Sequence, residues 1–254
     1  MTHLNHIRTL PFSSCGSSSR VVRATVLFCC TISSLALVVP LHAQEAGNDL
    51  PWEILFDGKS AEHFRNYKQD SLSPKWQIVD GALTLTAKGG GDIITKETYD
   101  AFELSLEYRI SRGGNSGIMF HVVQGSGPPW ATGPEIQVLD NIDGKDPQKS
   151  GWLYQLYKPK SDPQDPDRAL DATNPPGQWN HLRVKIHPEQ SEVALNGVVY
   201  YTFVKGSEDW NQRVAESKFS KMEGFGRADR GHICLQDHGD EVAFRDIKIR
   251  RLLK

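Results

Sequence analysis

The 254-residue sequence predicts an all-β protein, a jelly-roll sandwich of two antiparallel sheets. Three observations support this fold class: short segments of alternating apolar and polar residues, turn residues between most of them, and very little helical periodicity. Many short strands in one domain bury their apolar sides by stacking as two sheets. An up-and-down barrel is the alternative that the same pattern allows.

The first 43 residues have the pattern of a secretory signal peptide. They contain three arginines and no acidic residue, and an apolar run over residues 24–41 precedes His42-Ala43. Cleavage is expected after Ala43, which predicts a periplasmic or extracellular protein without a membrane span in the mature chain. An uncleaved membrane anchor remains the alternative, because the apolar run is just long enough to span a bilayer.

Residues 44–51 are expected to form a flexible lead-in and residues 52–254 a single domain. Three of the four cysteines lie in the leader, so Cys234 alone remains and no internal disulfide is expected. The whole chain has 29 basic and 31 acidic residues, and loss of the leader arginines makes it more acidic. This balance argues against nucleic acid and anionic membrane surfaces as partners and suits a neutral partner such as a sugar.

The predicted elements follow one another from Trp52. The strand segments, in chain order, are WEILF, WQIV, ALTLT, AFELSLEYRIS, SGIMFHVVQG, PEIQVLDN, WNHLRVKIH, SEVAL, GVVYYTF, GHICLQDHG and EVAFRDIKIRRL. Asp80-Gly81 and Asn196-Gly197 predict hairpin turns. Trp210, Val214 and Phe219 predict one short helix, and the proline-rich segment 159–176 predicts a long loop.

Strand alternation sorts the polar residues onto faces. Four strands combine a buried apolar side with an opposite side that carries histidine, arginine, glutamate or glutamine. These opposite-side residues are Met119 and His121; Glu135 and Gln137; His181, Arg183 and Lys185; and Cys234, Gln236 and His238. An antiparallel sandwich normally has solvated outer faces, so each residue alone could be a surface residue. If the four strands are neighbours, the polar sides converge on a ligand site.

Several motifs together resemble a known family. LFDGKS, WQIVDGALTL, GGNSGIMFHV, PEIQVLDN, PPGQWNHLRV, LNGVVY and GHICLQDHGDEVAFRDIKIR occur in the order and approximate spacing of the 3-keto-disaccharide hydrolase domain family, over residues 52–252. The resemblance implies a concanavalin A-like fold of glucanase type in an exported bacterial protein. It also implies a hydrolase or lyase that acts on glycosides whose C3 hydroxyl has been oxidised to a ketone.

The implied chemistry explains which residues a site needs. A C3 ketone acidifies the hydrogen at C2, so elimination of the C1 substituent followed by water addition gives net hydrolysis. This path needs a base near C2, proton assistance at C1 and donors around the enolate oxygen. Glu135 is the first candidate for the base or its orienting partner, and His121 and His238 are candidates for proton exchange near neutral pH.

The remaining candidates would hold the sugar. Gln137 and Gln236 suit hydroxyl recognition, because an amide both donates and accepts. Arg183 could donate to the C3 oxygen or balance the charge of Glu135. Asp140 and Asn115 could bind hydroxyls or form turns, and Trp152 and Tyr154 could stack on a sugar ring or pack in the core.

Three alternatives use the same residues. Two histidines and a carboxylate could hold a divalent metal, although no diagnostic spacing is present and no cofactor is expected. DNIDGKD does not match the EF-hand calcium pattern. A non-catalytic carbohydrate-binding module could use the aromatic and amide groups alone. An ordinary retaining glycosidase needs two close carboxylates, and alternation provides no partner for Glu135.

Overall fold

The computed structural model describes residues 50–125 and 127–254, so the predicted leader and most of the lead-in lie outside the described residues. The described elements, in chain order, are β1 (Glu53–Phe56), β2 (Phe64–Asn66), β3 (Trp76–Val79), β4 (Ala82–Leu85), β5 (Ile93–Thr95), β6 (Phe102–Ile110), β7 (Asn115–Val122), a 3-10 turn (Pro129–Ala131), β8 (Glu135–Leu139), β9 (Ser161–Asp162), β10 (Asp165–Ala169), β11 (Asn180–Ile186), β12 (Ser191–Leu195), β13 (Val198–Phe203), α1 (Glu208–Glu216), β14 (His232–Leu235) and β15 (Val242–Arg251).

Two antiparallel sheets form the domain. The larger sheet has the order β13-β12-β11-β6-β15-β4-β3, with β1 also paired to β15. The smaller sheet has the order β2-β5-β14-β7-β8. This arrangement confirms the predicted all-β jelly-roll sandwich, and the pairing of sequence-distant strands shows why strand order could not be obtained from local patterns.

The core lies between the sheets and comes from the alternating apolar residues. Leu104 and Leu106 of β6 contribute to it from the larger sheet, and Ile118 and Phe120 of β7 contribute from the smaller one. Each fully buried side chain of this size contributes about 1.5–3 kcal/mol. The opposite side of the smaller sheet therefore faces away from the main core; we call it the Glu135 face, after the β8 residue that it carries.

Local turn chemistry is as predicted at both hairpins. Asp80 and Gly81 have φ angles of 50° and 73°, and Asn196 and Gly197 have φ angles of 49° and 81°. Two consecutive positive φ angles match the twist of the flanking strands, which explains the Asp-Gly and Asn-Gly pairs. Helix α1 is also confirmed, with Ser207 as its N-cap, but it ends at Glu216, before Phe219.

Two elements differ from the prediction. The segment 159–176, predicted to be a loop without strands, contains the small hairpin of β9 and β10. Both strands are short and largely exposed. Because neither has a buried side, their residues do not alternate between apolar and polar. Strands β2 and β5 were missed because three residues are too few to display a period of two.

Candidate active site

Two rows of residues cross the Glu135 face. Paired positions place Glu135, Met119, Cys234 and Ile94 side by side on four neighbouring strands. In the next row, Gln137 pairs with Gly117, whose carbonyl accepts the Gln236 N–H at 2.9 Å. Continuing the β14–β5 register by one residue brings Asp92 beside Gln236. The first row is largely apolar and the second largely polar.

Glu135 reaches from the first row towards the second across a glycine. A methyl group added to Gly117 would lie 2.9 Å from Glu135 Cδ, closer than real Cβ contacts. The missing side chain at Gly117 therefore provides the space for the carboxyl group. Gln236 follows β14, two strands from β8, and its side chain lies close enough to the Glu135 carboxyl group to lower the pKa of that group.

The environment raises the pKa of the Glu135 carboxyl group to near neutral pH. Only 8% of the residue is exposed, and burial raises its pKa from 4.5 to about 7. The ammonium of Lys218 acts in the opposite direction, while the charges of Asp92 and Asp146 add to the increase in the pKa. A carboxyl group with a pKa near the working pH can accept and return a proton with little free-energy cost.

We expect Glu135→Gln to stabilise the protein at pH 8 more than at pH 5. The folded-state pKa of Glu135 lies above its unfolded value, so its contribution to stability is fully present below pH 4.5 and is lost as pH rises through about 7. The free energy of unfolding of the wild type should therefore fall by up to about 3 kcal/mol as Glu135 ionises. Thermal unfolding at both pH values measures the difference. Glu62→Gln, at an exposed glutamate, is the control. An equal change in Tm at pH 5 and pH 8 in Glu135→Gln would contradict the expectation.

Asp92 is a second carboxyl group on this face; it is half-buried, and no strand pattern in the sequence pointed to it. The glycine-rich segment before it is fixed by the Asn66 side chain, which donates to Gly90 O at 2.6 Å, and by Asp237, whose Oδ2 accepts the Gly91 N–H at 2.7 Å. The Asp237 N–H donates to Asp92 Oδ1 at 2.9 Å. Burial raises the pKa of Asp92 from 3.8 to about 6.

Two amide side chains near the carboxyl groups have free acceptors. Gln236 Oε1 and Asn115 Oδ1 are buried and have no hydrogen-bond partner among the described residues. Asn115 has the same strand parity as Gly117, so both amides belong to the Glu135 face. A buried acceptor without a partner costs about 1–3 kcal/mol, which a bound hydroxyl donor would recover. Gln137 differs, because its Nε2 donates to Gln148 O at 3.3 Å and anchors the neighbouring segment.

A polar rim adjoins Glu135 at the outer edge of β8. The Tyr154 N–H donates to Glu135 O at 2.8 Å, which fixes the segment along the strand. The Tyr154 hydroxyl donates to Asp146 Oδ2 at 2.9 Å, and Lys218 Nζ lies 4.2 Å from the centre of the Tyr154 ring. Lys218, which follows α1, thus provides a positive charge near Glu135.

Two more predicted site residues occupy defined places. His238 is exposed and lies close enough to Asp92 for its charge to lower the pKa of that carboxyl group. Trp152 accepts the Gln137 N–H through its carbonyl at 2.9 Å, and its side chain lines a groove of about 320 Å³ with Gln148 and Lys158. His238 therefore lies at the Asp92 end of the face and Trp152 beyond its β8 edge.

His121 does not join Glu135, which corrects the prediction. Two residues of β14, from His232 to Cys234, span three residues of β7, from Met119 to Val122, so β7 has a bulge. His121 has a φ of 53° at this bulge, and alternation reverses there. Its ring packs edge-on against Phe102 and Phe120, and Asp100 O lies 2.8 Å from its Nε2. Burial lowers the pKa of His121 to about 4.

Arg183 lies in the wrong sheet for the predicted site. Strand β11 pairs with β6 and β12 of the larger sheet, so Arg183 points outward on the opposite side of the sandwich. Its guanidinium forms ion pairs with Glu103 and Glu192. The predicted role of balancing Glu135 falls instead to Lys218, which no strand pattern could indicate because it lies in a loop.

Asp140 fits the turn alternative. Its Oδ2 accepts the Gly113 N–H at 2.7 Å, its Oδ1 accepts the Ile142 N–H at 3.0 Å, and only 2% of the residue is exposed. Both oxygens are therefore engaged by the backbone of two loops. This placement leaves Asp140 out of the group around Glu135.

Across residues 50–125 and 127–254, no group of three or more His, Cys, Asp or Glu side chains is arranged to hold a metal ion. The two histidines of the metal hypothesis lie apart, His121 at the β7 bulge and His238 near Asp92. No helix of this part of the chain has the length and apolar character needed to cross a membrane.

Comparison with known proteins agrees with the resemblance found in the sequence. The model of the 3-keto-alpha-glucoside-1,2-lyase-like domain matches residues 51–250. A 3-keto-disaccharide hydrolase of Bacteroides thetaiotaomicron is 30% identical over 233 residues, which cover 78% of this chain and 77% of the relative.

Solved structures give the same picture. A provisionally named glycosyl hydrolase of Parabacteroides distasonis is 30% identical, with a TM-score of 0.70, over 80% of this chain and 94% of that one. A second such structure from the same organism is 28% identical, with a TM-score of 0.59, over 80% of this chain and all of that one. The chain therefore belongs to the family of 3-keto-alpha-glucoside-1,2-lyase-like domains.

Proposed function

We propose that this protein is an exported enzyme that cleaves the glycosidic bond of 3-keto-disaccharides or other 3-keto-glycosides by removing the C2 proton and eliminating the C1 substituent. The relatives support a glycoside-acting enzyme. The observation that carries the finer proposal is Glu135, a buried carboxyl group over Gly117 whose pKa burial raises to about 7. Such a group suits proton transfer at carbon better than it suits passive binding.

In this mechanism Glu135 accepts the C2 proton, and the electrons of the C2–H bond delocalise into the C3 carbonyl to form an enolate. The nearby positive charge of Lys218 and the donor groups of Gln236 stabilise the developing negative charge. The enolate then reforms the C3 carbonyl, a C1–C2 double bond forms, and the C1–O bond breaks. Water adds to C1 of the resulting enone, and Glu135 returns the proton to C2.

The same face provides sugar recognition. The free amide oxygens of Gln236 and Asn115 accept hydrogen bonds from sugar hydroxyls. Tyr154 offers an aromatic face at the rim. Side chains thus provide the base, the positive charge and the hydroxyl acceptors, and we propose that the reaction needs no added cofactor.

An ordinary glycosidase of the inverting kind is the second candidate, because Asp92 offers a second carboxyl group on the Glu135 face. Asp92 lies two strands from Gly117, and neighbouring strands are about 4.8 Å apart. Inverting glycosidases place their two carboxyl groups about 6.5–9.5 Å apart. A carbohydrate-binding module needs neither of these two carboxyl groups.

The test is incubation of the purified protein with a 3-keto-disaccharide and with its unoxidised parent, with and without a chelator, followed by mass spectrometry. We expect cleavage of the keto sugar alone, at a rate that the chelator leaves unchanged. Cleavage of the parent would indicate an ordinary glycosidase. Binding of either sugar without turnover would indicate a binding module, and chelator-sensitive cleavage restored by a divalent cation would show a metal requirement.

A further inference from the structure

We infer that Asp92 is the second catalytic residue of this site and donates the proton to the departing glycosidic oxygen. This inference rests on the proposed function, and it assigns the step at C1 that Glu135 cannot perform while it holds the C2 proton. Of the two histidines predicted to exchange protons, His121 lies away from the site.

The strand register places Asp92 opposite Glu135. Gln236 lies between them, beside Gly117 on one side and Asp92 on the other. Since neighbouring strands are about 4.8 Å apart, the backbones at Gly117 and Asp92 are about 10 Å apart. A sugar ring held over Gln236 would have the Glu135 carboxyl group at one side and the Asp92 carboxyl group at the other. C2 and the C1 oxygen are neighbours on that ring, so each could face its own carboxyl group.

Asp92 is held in place and has one oxygen available. Its Oδ1 accepts the Asp237 N–H at 2.9 Å, and the Asp237 carboxylate bridges Gly91 N at 2.7 Å and Gly239 N at 2.9 Å. No group of the described residues donates a hydrogen bond to Asp92 Oδ2. This network fixes the carboxyl group while leaving one oxygen for a substrate.

The surroundings of Asp92 raise its pKa from 3.8 to about 6, less far than the pKa of Glu135, which reaches about 7. Burial is the largest cause of its raised pKa. The hydrogen bond from the Asp237 N–H and the charge of His238 oppose the increase, and the charge of Asp237 adds to it. The negative charge of Asp92 in turn raises the pKa of Glu135. Two such carboxyl groups favour sharing a single proton, and because the two pKa values are close, little free energy separates the form with the proton on Glu135 from the form with it on Asp92. The assigned roles use the second form, with Glu135 ionised as the base and Asp92 protonated as the acid.

The proton balance is complete. Asp92 gives its proton to the leaving oxygen, which departs with the electron pair of the C1–O bond as an alcohol. The Asp92 carboxylate then takes a proton from the water that adds to C1, while Glu135 returns its proton to C2. Both residues finish in their starting states, and the sum is one glycoside plus one water giving one alcohol and one free 3-keto sugar.

The test compares methyl and 4-nitrophenyl 3-keto-glucosides in D₂O with wild type, Asp92→Asn and Glu135→Gln. Methoxide needs a proton to depart and 4-nitrophenoxide does not. We expect Asp92→Asn to cleave the methyl glycoside about 10²-fold more slowly or worse. It should cleave the 4-nitrophenyl glycoside within about tenfold of wild type and still exchange the C2 hydrogen for deuterium. Glu135→Gln should lose cleavage of both substrates and the exchange.

The controls separate the possible failures. Asp246→Asn changes a 74% exposed aspartate on the larger sheet and should behave as wild type. A thermal melt checks folding, with Asp92→Ser as the replacement if Asp92→Asn does not fold. Equal slowing of both glycosides, or loss of exchange together with cleavage in folded Asp92 variants, would overturn the assignment. Failure of the wild type to cleave either 3-keto-glucoside would instead refute the proposed function.

Discussion

Glu135→Gln should lower the turnover of a 3-keto-disaccharide by about 10³-fold, within the range of about 10²–10⁴ that general acid–base catalysis contributes. Glutamine has nearly the same shape and can keep the contact with Gln236, but it cannot accept the C2 proton. The loss should therefore appear in kcat, while KM changes little because the sugar contacts remain. Steady-state kinetics with the 3-keto-disaccharide measure both constants.

A loss of folding cannot explain this expected result, because the same substitution should raise Tm at pH 8. The wild type must keep a buried carboxylate ionised at that pH, and the amide removes this cost. Low activity together with higher stability is the pattern of a group retained for chemistry. Turnover by Glu135→Gln above a tenth of the wild-type rate would show that another group is the base. Exposed Glu62→Gln should leave both activity and Tm unchanged.

Much of this face could be predicted from alternation alone. Glu135, Gln137 and Gln236 have polar side chains at positions where β8 and the end of β14 turn away from the core, and the structure brings them into neighbouring positions. Clean alternation of large apolar residues fixes the side of a strand that is buried, because a shift by one residue would exchange the two faces.

A bulge and the long-range strand order account for the two misplaced residues. Nothing in SGIMFHVVQG shows that His121 occupies a positive-φ position, where the alternation reverses. Arg183 alternates as regularly as Glu135, but its strand pairs with β6 and β12. Alternation tells which side of its strand a residue occupies and contains no information about which sheet that strand joins.

Asp92 and Lys218 were missed for different reasons. Asp92 precedes a three-residue strand after three glycines, and its site is completed by Asp237, 145 residues later in the chain. The glycine run was a usable signal, because glycine permits tight turns and a close approach of the backbone to a ligand. Lys218 lies in a loop after α1, where no periodic pattern applies.

Gly117→Ala should lower kcat by about 10²-fold without unfolding the protein. The added methyl group would lie 2.9 Å from Glu135 Cδ, so the flexible end of the glutamate must move. Gly117 does not have a positive φ, and alanine fits a strand at least as well as glycine does, so the backbone need not be strained. A displacement of about 1 Å is enough to cost about two orders of magnitude in rate.

A second measurement distinguishes a displaced carboxyl group from a generally disturbed site. If the methyl group moves Glu135 towards Lys218 and solvent, the pKa of Glu135 should fall towards its ordinary value, because burial is the main cause of its increase. The stability lost between pH 5 and pH 8 should then become smaller in Gly117→Ala than in wild type. Gly224→Ala, whose methyl group would lie 3.3 Å from Thr132 Cγ2, is the matched control and should change neither property. Full activity in Gly117→Ala would mean that the position of Glu135 over this glycine is unimportant for the reaction. Reduced activity with an unchanged pH dependence of stability would mean that the methyl group blocks the sugar directly.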